Sequence, residues 1–197
     1  ITVILHGVDT EYFKPRPGIA EEHMIFGPGR DFARDFKTLF AAVSGLDVPV
    51  FVTARPSRLA KFFPLPPSVT RRDLSNEELL DEYAKAALVV LPISLATRSN
   101  DASGCSTLVE AMAMGKAVIA TRTKTMEGYI EDGVSGILVP PEDPKALEAA
   151  IASLLADPVR RKNMGMRARL RAEQRLAADL FAQSLARFFD ELLGQRG

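Results

Sequence analysis

The chain has 197 residues and a mass of 21.5 kDa, with 25 Lys and Arg set against 25 Asp and Glu. That length holds one α/β domain or two small ones, and the balanced charge argues against nucleic acid as the main partner. A single cysteine excludes an internal disulfide and a multi-cysteine zinc site, and the two histidines leave little for histidine-rich metal binding.

In chain order, the β-branched run Ile1–Leu5 reads as a strand and Pro15, Pro17 and Gly18 as a loop. Met24–Gly27 predicts a short strand, closed by Gly27-Pro28-Gly29. Phe36, Leu39, Phe40 and Val43 have helical spacing, and Val48–Ala54 predicts a strong strand. Val69–Arg71 allows another short strand. Ser75 with Glu78 forms a capping-box pattern for a helix to about Ala86. Ala87–Ile93 reads as a buried strand, then comes a loop over 94–105, rich in Ser, Thr, Asn and Gly. Ser106–Met114 predicts a helix closed by Gly115, Ala117–Ala120 a strand, Glu127–Glu131 a helical turn and Gly136–Val139 a strand. Asp143-Pro144 starts a helix to about Leu155, and Asp157-Pro158 starts a pattern that stays helical to Leu193. Strands separated by helices predict a Rossmann-like parallel sheet with helices on both faces. Such sheets put ligands at the carboxyl ends of their strands. No apolar run approaches the length of a spanning helix.

Three places can carry chemistry. The loop from Asp101 through Ser103, Gly104, Cys105, Ser106 and Thr107 leads into a helix, whose first N–H groups and dipole favour an anion. It reads equally as a plain helix start. Glu110, one turn further, is placed to accept from ribose hydroxyls or stands as a surface carboxylate near a helix N-terminus. Arg30 and Arg34 follow Gly29 closely enough to clamp a diphosphate, although Asp31 and Asp35 allow them to be ordinary solvated charges.

Five stretches in order carry a resemblance. They are His6–Pro15 (N-G-V-D-x-x-x-F-x-P-like), Phe26–Arg30 with Arg34 (G-R-x-x-x-x-K-like), Tyr83–Pro92 (Y-x-x-A-D-like), Leu108–Thr121 (L-E-A-M-A-x-G-x-P-V-V-A-T-like) and the tail Ile130–Asp143. The chain resembles the C-terminal, donor-binding domain of a GT-B glycosyltransferase of the retaining family GT4, over nearly its whole length. The resemblance implies a nucleotide-diphospho-sugar donor (UDP- or GDP-sugar) and no required cofactor or metal. Arg30 with Gly29 would contact the diphosphate. Arg34 would stand where the family has Lys. The loop of Val69, Arg71, Arg72 and Asp73 would hold the base, largely through backbone groups, and the loop to Leu108 would wrap sugar and pyrophosphate. Glu110 would match the second Glu of the E-x7-E motif. The first Glu falls at Ala102, with Asp101 one residue out of register. That departure keeps a degenerate, non-catalytic nucleotide-binding module in view.

Residues 1–197 are expected to be one domain of a longer chain, with 177–193 packing toward a missing N-terminal acceptor domain. The expected acceptor is a glycan, lipid or small molecule, and the isolated domain is expected to be inactive. An unrelated Rossmann-type dehydrogenase is weakened by the lack of G-x-G-x-x-G after the first strand. The expected location is cytoplasmic, with peripheral contact at the inner membrane face offered by the seven basic residues of Arg160–Arg175, which read otherwise as a solvated helix. Cys105, at a helix start, is expected to have a lowered thiol pKa and to react unless nucleotide shields it, or else to be a small residue filling space. The apolar set Leu180, Phe181, Leu185, Phe188, Phe189 and Leu192 is expected to be covered.

Overall fold

The computed structural model describes residues 3–95 and 102–194. Six strands form one all-parallel sheet: β1 Ile25–Gly27, β2 Val50–Val52, β3 Val69–Arg71, β4 Leu88–Leu91, β5 Ala117–Thr121 and β6 Ile137–Val139. Their order is β3-β2-β1-β4-β5-β6. Every adjacent pair is parallel, with Ile25 facing Val50 on one side and Leu88 on the other. This is the Rossmann-like arrangement expected from the alternation of strands and helices.

The helices are α1 Phe36–Val43, α2 Pro56–Leu59, α3 Asn76–Lys85, α4 Cys105–Ala113, α5 Lys124–Tyr129, α6 Pro144–Ala156, α7 Pro158–Arg175 and α8 Ala178–Gly194. They divide the core in two. Phe26, Val89, Leu91, Val118 and Ala120 pack toward α3, α4, α5 and the end of α7. Their neighbours Ile25, Leu88, Val90, Ala117 and Ile119 pack toward α1 and α6. This alternation along each strand is the two-residue period of the pleat, expressed on a sheet covered on both faces. Tyr83 is fully buried and meets Phe26 edge-on at 5.2 Å, while Phe26 stacks on Phe51 at 5.5 Å.

Local signals fix the helix starts. The capping box of Ser75 and Glu78 is formed in full. Asp35, Thr123, Asp143 and Asp157 cap α1, α5, α6 and α7 through their side chains. α2, followed by a short 3-10 turn over Ala60–Phe62, was not expected, although Pro56 at its first position is the signal.

Two expectations need correction. Val3–Leu5 form no strand, because the sheet has no free position beside them; they lie against α8 with Leu180, Phe181 and Phe188. The C-terminal helical pattern is broken at Leu176 and Ala177, where Ala177 bridges to Val8 in parallel. No residue of α8 is buried, and Phe189, Leu192 and Leu193 are exposed, because no other element lies over that face among the described residues. No helix among the described residues is long and apolar enough to cross a membrane.

α4 and α7 approach closely at Gly165. A Cβ there would stand 2.2 Å from the Gly115 carbonyl oxygen. Gly165→Ala gains about 1 kcal/mol of helix propensity but forces two backbones apart. Overpacking of this kind costs about 1–3 kcal/mol. A net loss is expected, read as a melting temperature lowered by about 2–4 °C for each kcal/mol. An unchanged or higher melting temperature would contradict the contact.

Candidate donor site at the carboxyl ends of the strands

The strand order reverses between β1 and β4, so the loops that follow them diverge and leave a crevice. The chain beyond β1 is tied to the chain beyond β4. Asp35 N donates to Pro92 O (2.9 Å), Ser94 N donates to Ala33 O (2.8 Å), and Arg34 bridges Ile93 in antiparallel fashion. This short ladder directs the Arg34 side chain into the crevice.

The guanidinium fills the gap between two glycines. A Cβ on Gly29 would lie 2.3 Å from Arg34 Nε, and one on Gly104 would lie 2.7 Å from Arg34 Nη1. Both glycines have positive φ, +120° and +84°, where a side chain is strained in any case. Gly29 is held by its N–H, which donates to Thr53 Oγ1 at 2.9 Å.

The Arg34 side chain is only 2% exposed, and its one ionic neighbour is Asp31, at 3.2 Å. Nε, Nη1 and Nη2 are all buried without a hydrogen-bond partner. Burial accordingly lowers the Arg34 pKa, opposed by Asp31, Tyr83, Glu110 and Cys105. Five N–H donors in a fixed fork match phosphate oxygens. Leaving them unpaired in the interior is costly. Gly104, at the N-cap of α4, supplies no capping side chain, so the positive end of that helix lies directly beside the Arg34 guanidinium.

On the other side of Gly29, a cavity of about 290 Å³ is lined by Arg30, Thr53, Ser75, Tyr83, Thr107 and Glu110, among others. Glu110 Oε2 accepts from the Tyr83 hydroxyl at 3.0 Å. Burial raises the Glu110 pKa, while the Tyr83 bond and Arg34 pull it down. Burial and Glu110 together hold the Tyr83 phenol well above its ordinary value. Arg30 stands at the rim, half exposed, 3.3 Å from Asp73, which also accepts from Arg71 at 2.6 Å.

The structure thus brings Gly29, Arg30, Arg34, Gly104, Thr107 and Glu110 to the crevice. Other expected site residues lie apart. Val69 is buried in the layer of α1 and α6. Arg71 Nε donates to Ala54 O, and Arg72 turns to Glu78 and Glu82 and over the Phe51 ring. None of these, nor Asp73, lines the 290 Å³ cavity. Leu108 is fully buried, Ser106 is exposed and Ser103 is half-buried. Asp101 lies outside the described residues.

Of the two readings of Cys105, the small residue filling space fits the structure. It is 5% exposed, and burial pushes its thiol pKa up despite a hydrogen bond with the Tyr129 hydroxyl. Burial outweighs the helix terminus here. Sequence reasoning missed Thr53, Ser75 and Tyr83 as site residues; Ser75 announced itself only as a cap and Tyr83 only as part of a motif. Among the described residues no three His, Cys, Asp or Glu side chains converge to hold a metal.

Comparison with known proteins places the chain. Residues 71–171, just over half of it, match the family Glycosyl transferases group 1, and the chain belongs to that family. It is 27% identical over 189 residues to the D-rhamnosyltransferase WbpZ of Pseudomonas aeruginosa, covering 89% of this chain and 49% of WbpZ. Sucrose-phosphate synthase from Thermosynechococcus elongatus superimposes with a TM-score of 0.81 at 23% identity, over 98% of this chain and 53% of that one. Anabaena HepE in complex with UDP and glucose superimposes with a TM-score of 0.80 at 20% identity, over 96% of this chain and 56% of that one. These likenesses show the fold of one half of a GT-B glycosyltransferase, and the chain spans about half the length of these three proteins.

Raising the Glu110 pKa penalises its ionised form in the folded protein. The penalty is present above the folded pKa and vanishes below the unfolded value of about 4.3. Glu110→Gln removes that charge and keeps an acceptor for Tyr83. Its melting temperature is expected to exceed that of the parent at pH 8, with the gap closing as pH falls toward 4. A gap that widens on acidification would reverse the sign and refute the assignment.

Proposed function

We propose that this chain is the donor-binding half of a retaining glycosyltransferase that takes a nucleotide-diphospho-sugar, UDP- or GDP-linked, and helps transfer the sugar to an acceptor hydroxyl. The observation that carries this reading is the buried Arg34 guanidinium, whose three nitrogens lack hydrogen-bond partners beside the uncapped start of α4. A diphosphate is the ligand that suits it. Negative charge grows on that group as the glycosidic bond breaks. A preorganised guanidinium and a helix N-terminus stabilise the charge without reorganising. Arg30, at the rim, adds a second cation. Glu110, oriented by Tyr83, takes the ribose hydroxyls in the adjoining 290 Å³ cavity. A structural neighbour supports the class of donor: HepE is seen in complex with UDP and glucose.

The acceptor, a glycan, lipid or small molecule, belongs with the rest of the longer protein. The chain alone binds donor and does not transfer. A cytoplasmic setting, with or without peripheral contact at the inner membrane face, suits a soluble nucleotide sugar. A second reading, a nucleotide-binding module without catalysis, is favoured by Ala102 at the position of the first Glu of the family motif.

Titration calorimetry with UDP, GDP, ADP, their sugar conjugates and NAD tests the proposal. One nucleotide diphosphate is expected to bind in preference to NAD. Arg34→Met is expected to weaken it ten- to a hundredfold, as befits hydrogen bonds to a charged group of about 1.5–3 kcal/mol. The unliganded melting temperature is expected to hold or rise in Arg34→Met, because burial of the guanidinium outweighs its ion pair with the partly exposed Asp31. Unaltered affinity in Arg34→Met would sink the reading. Donor binding without sugar transfer by the longer protein would select the second one.

A further inference from the structure

At the opposite, amino end of the sheet lies a cavity of about 650 Å³. It opens between the segment around Pro15–Glu21, the starts of β4 and β5, and α7. Its volume falls within the range of small-molecule sites. The walls combine two chemistries.

One wall is cationic. Lys116 and Arg161 have side chains only 12% and 8% exposed, and Glu21 is the carboxylate between them, 2.7 Å from Arg161 and 3.8 Å from Lys116. Lys162 lines the same wall, and its ammonium has no partner among the described residues. Arg161 Nε is buried and unpartnered. Arg169 is matched by Glu173, and Arg16 by Glu77 and Asp81. One carboxylate therefore faces three cations. Burial lowers the Lys116 pKa, Glu21 opposes that, and Arg161 and Lys162 add to it. Arg161 and Lys162 thus each repel Lys116, and an anion would relieve that repulsion.

The remaining lining is apolar. It includes Ile19, Met114, Met166 and Leu170. Met166 is 61% exposed and Leu170 is 42% exposed, four residues apart on one face of α7 at the cavity mouth.

We propose that this cavity is a second ligand site, for an anionic amphiphile: a phosphate monoester or carboxylate carried on an apolar body. The anion meets Lys162 and the exposed side of the Lys116–Arg161 pair. The apolar body covers Met114, Met166 and Leu170. The site shares no residue with the donor crevice. The two lie at opposite ends of α4, a helix of nine residues and hence about 13 Å long.

The probes are decyl phosphate, decanoate, decyltrimethylammonium and inorganic phosphate, each below its micellar concentration, titrated calorimetrically into this chain. The two anionic amphiphiles are expected to bind one per chain, and the cationic one of equal length is not. Lys162→Glu is expected to raise the dissociation constant at least tenfold, Lys162→Arg to retain binding, and Leu170→Asp to weaken it. Both positions are exposed, so folding is not at stake, and retained UDP affinity in all three variants separates this site from the donor crevice. The assay needs no nucleotide, so it stands if the donor reading fails. Equal binding of anionic and cationic amphiphiles, indifference to Lys162→Glu, or inorganic phosphate binding as tightly as decyl phosphate would overturn the proposal. Pelleting with phosphatidylglycerol vesicles, abolished by the same variants, would assign the anion to a lipid headgroup. Decyl phosphate binding without pelleting would assign it to a soluble ligand.

Discussion

A guanidinium buried among backbone atoms without hydrogen-bond acceptors is an unfavourable arrangement, and much of the carboxyl end of this sheet is arranged around one. Arg34 is held inside by the ladder that joins residues 33–35 to 92–94. Both loops that touch its head group carry glycine, because any side chain would collide with it. Its field reaches Tyr83, Glu110 and Cys105. Removing the cation would leave two glycines at positive φ and a partly buried carboxylate without their reason. Folding stability is therefore not what this corner of the molecule optimises.

Much of the frame was legible because it rests on local rules. The strands follow from short apolar runs, and the helix starts follow from Ser75, Asp143 and Asp157 with the prolines or acids behind them. Gly115 ends α4 with φ +70°, as its place after Met114 suggested. Arg30, Arg34 and Glu110 were legible as charges in suitable loops and as motif positions. The remainder depends on contacts between distant residues. That Arg34 is buried without hydrogen bonds follows from a ladder spanning about sixty residues of sequence. That Tyr83 orients Glu110 follows from α3 packing on α4.

The misreadings have the same origin. Ile1–Leu5 has strand composition, but a strand needs a partner, and both edges of the sheet lie elsewhere. Cys105 sits where a dipole lowers a thiol pKa, yet burial prevails, and burial is a property of the packed molecule. The break between α7 and α8 has no glycine or proline to mark it. It arises because Leu176 is drawn into the core and Ala177 into a bridge with Val8.

The bridge between Val8 and Ala177 has a mechanical consequence. Val8 N–H donates to Leu176 O at 2.7 Å, and Ala178 N–H donates to Val8 O at 2.9 Å. Gly7 lies so close to α8 that an added Cβ would come within 2.8 Å of Phe181 Cβ. The chain therefore enters and leaves the α/β body side by side, at one crossing. Residues 3–7 run from that crossing between α8 and the body, with Leu5 packed against the core and the His6 N–H donating to the Tyr129 hydroxyl, while no residue of α8 is buried. A swing of α8 about the crossing therefore works first on the Val8 ladder and on the apolar contacts of Leu180, Phe181 and Phe188 with residues 3–5, not on the sheet.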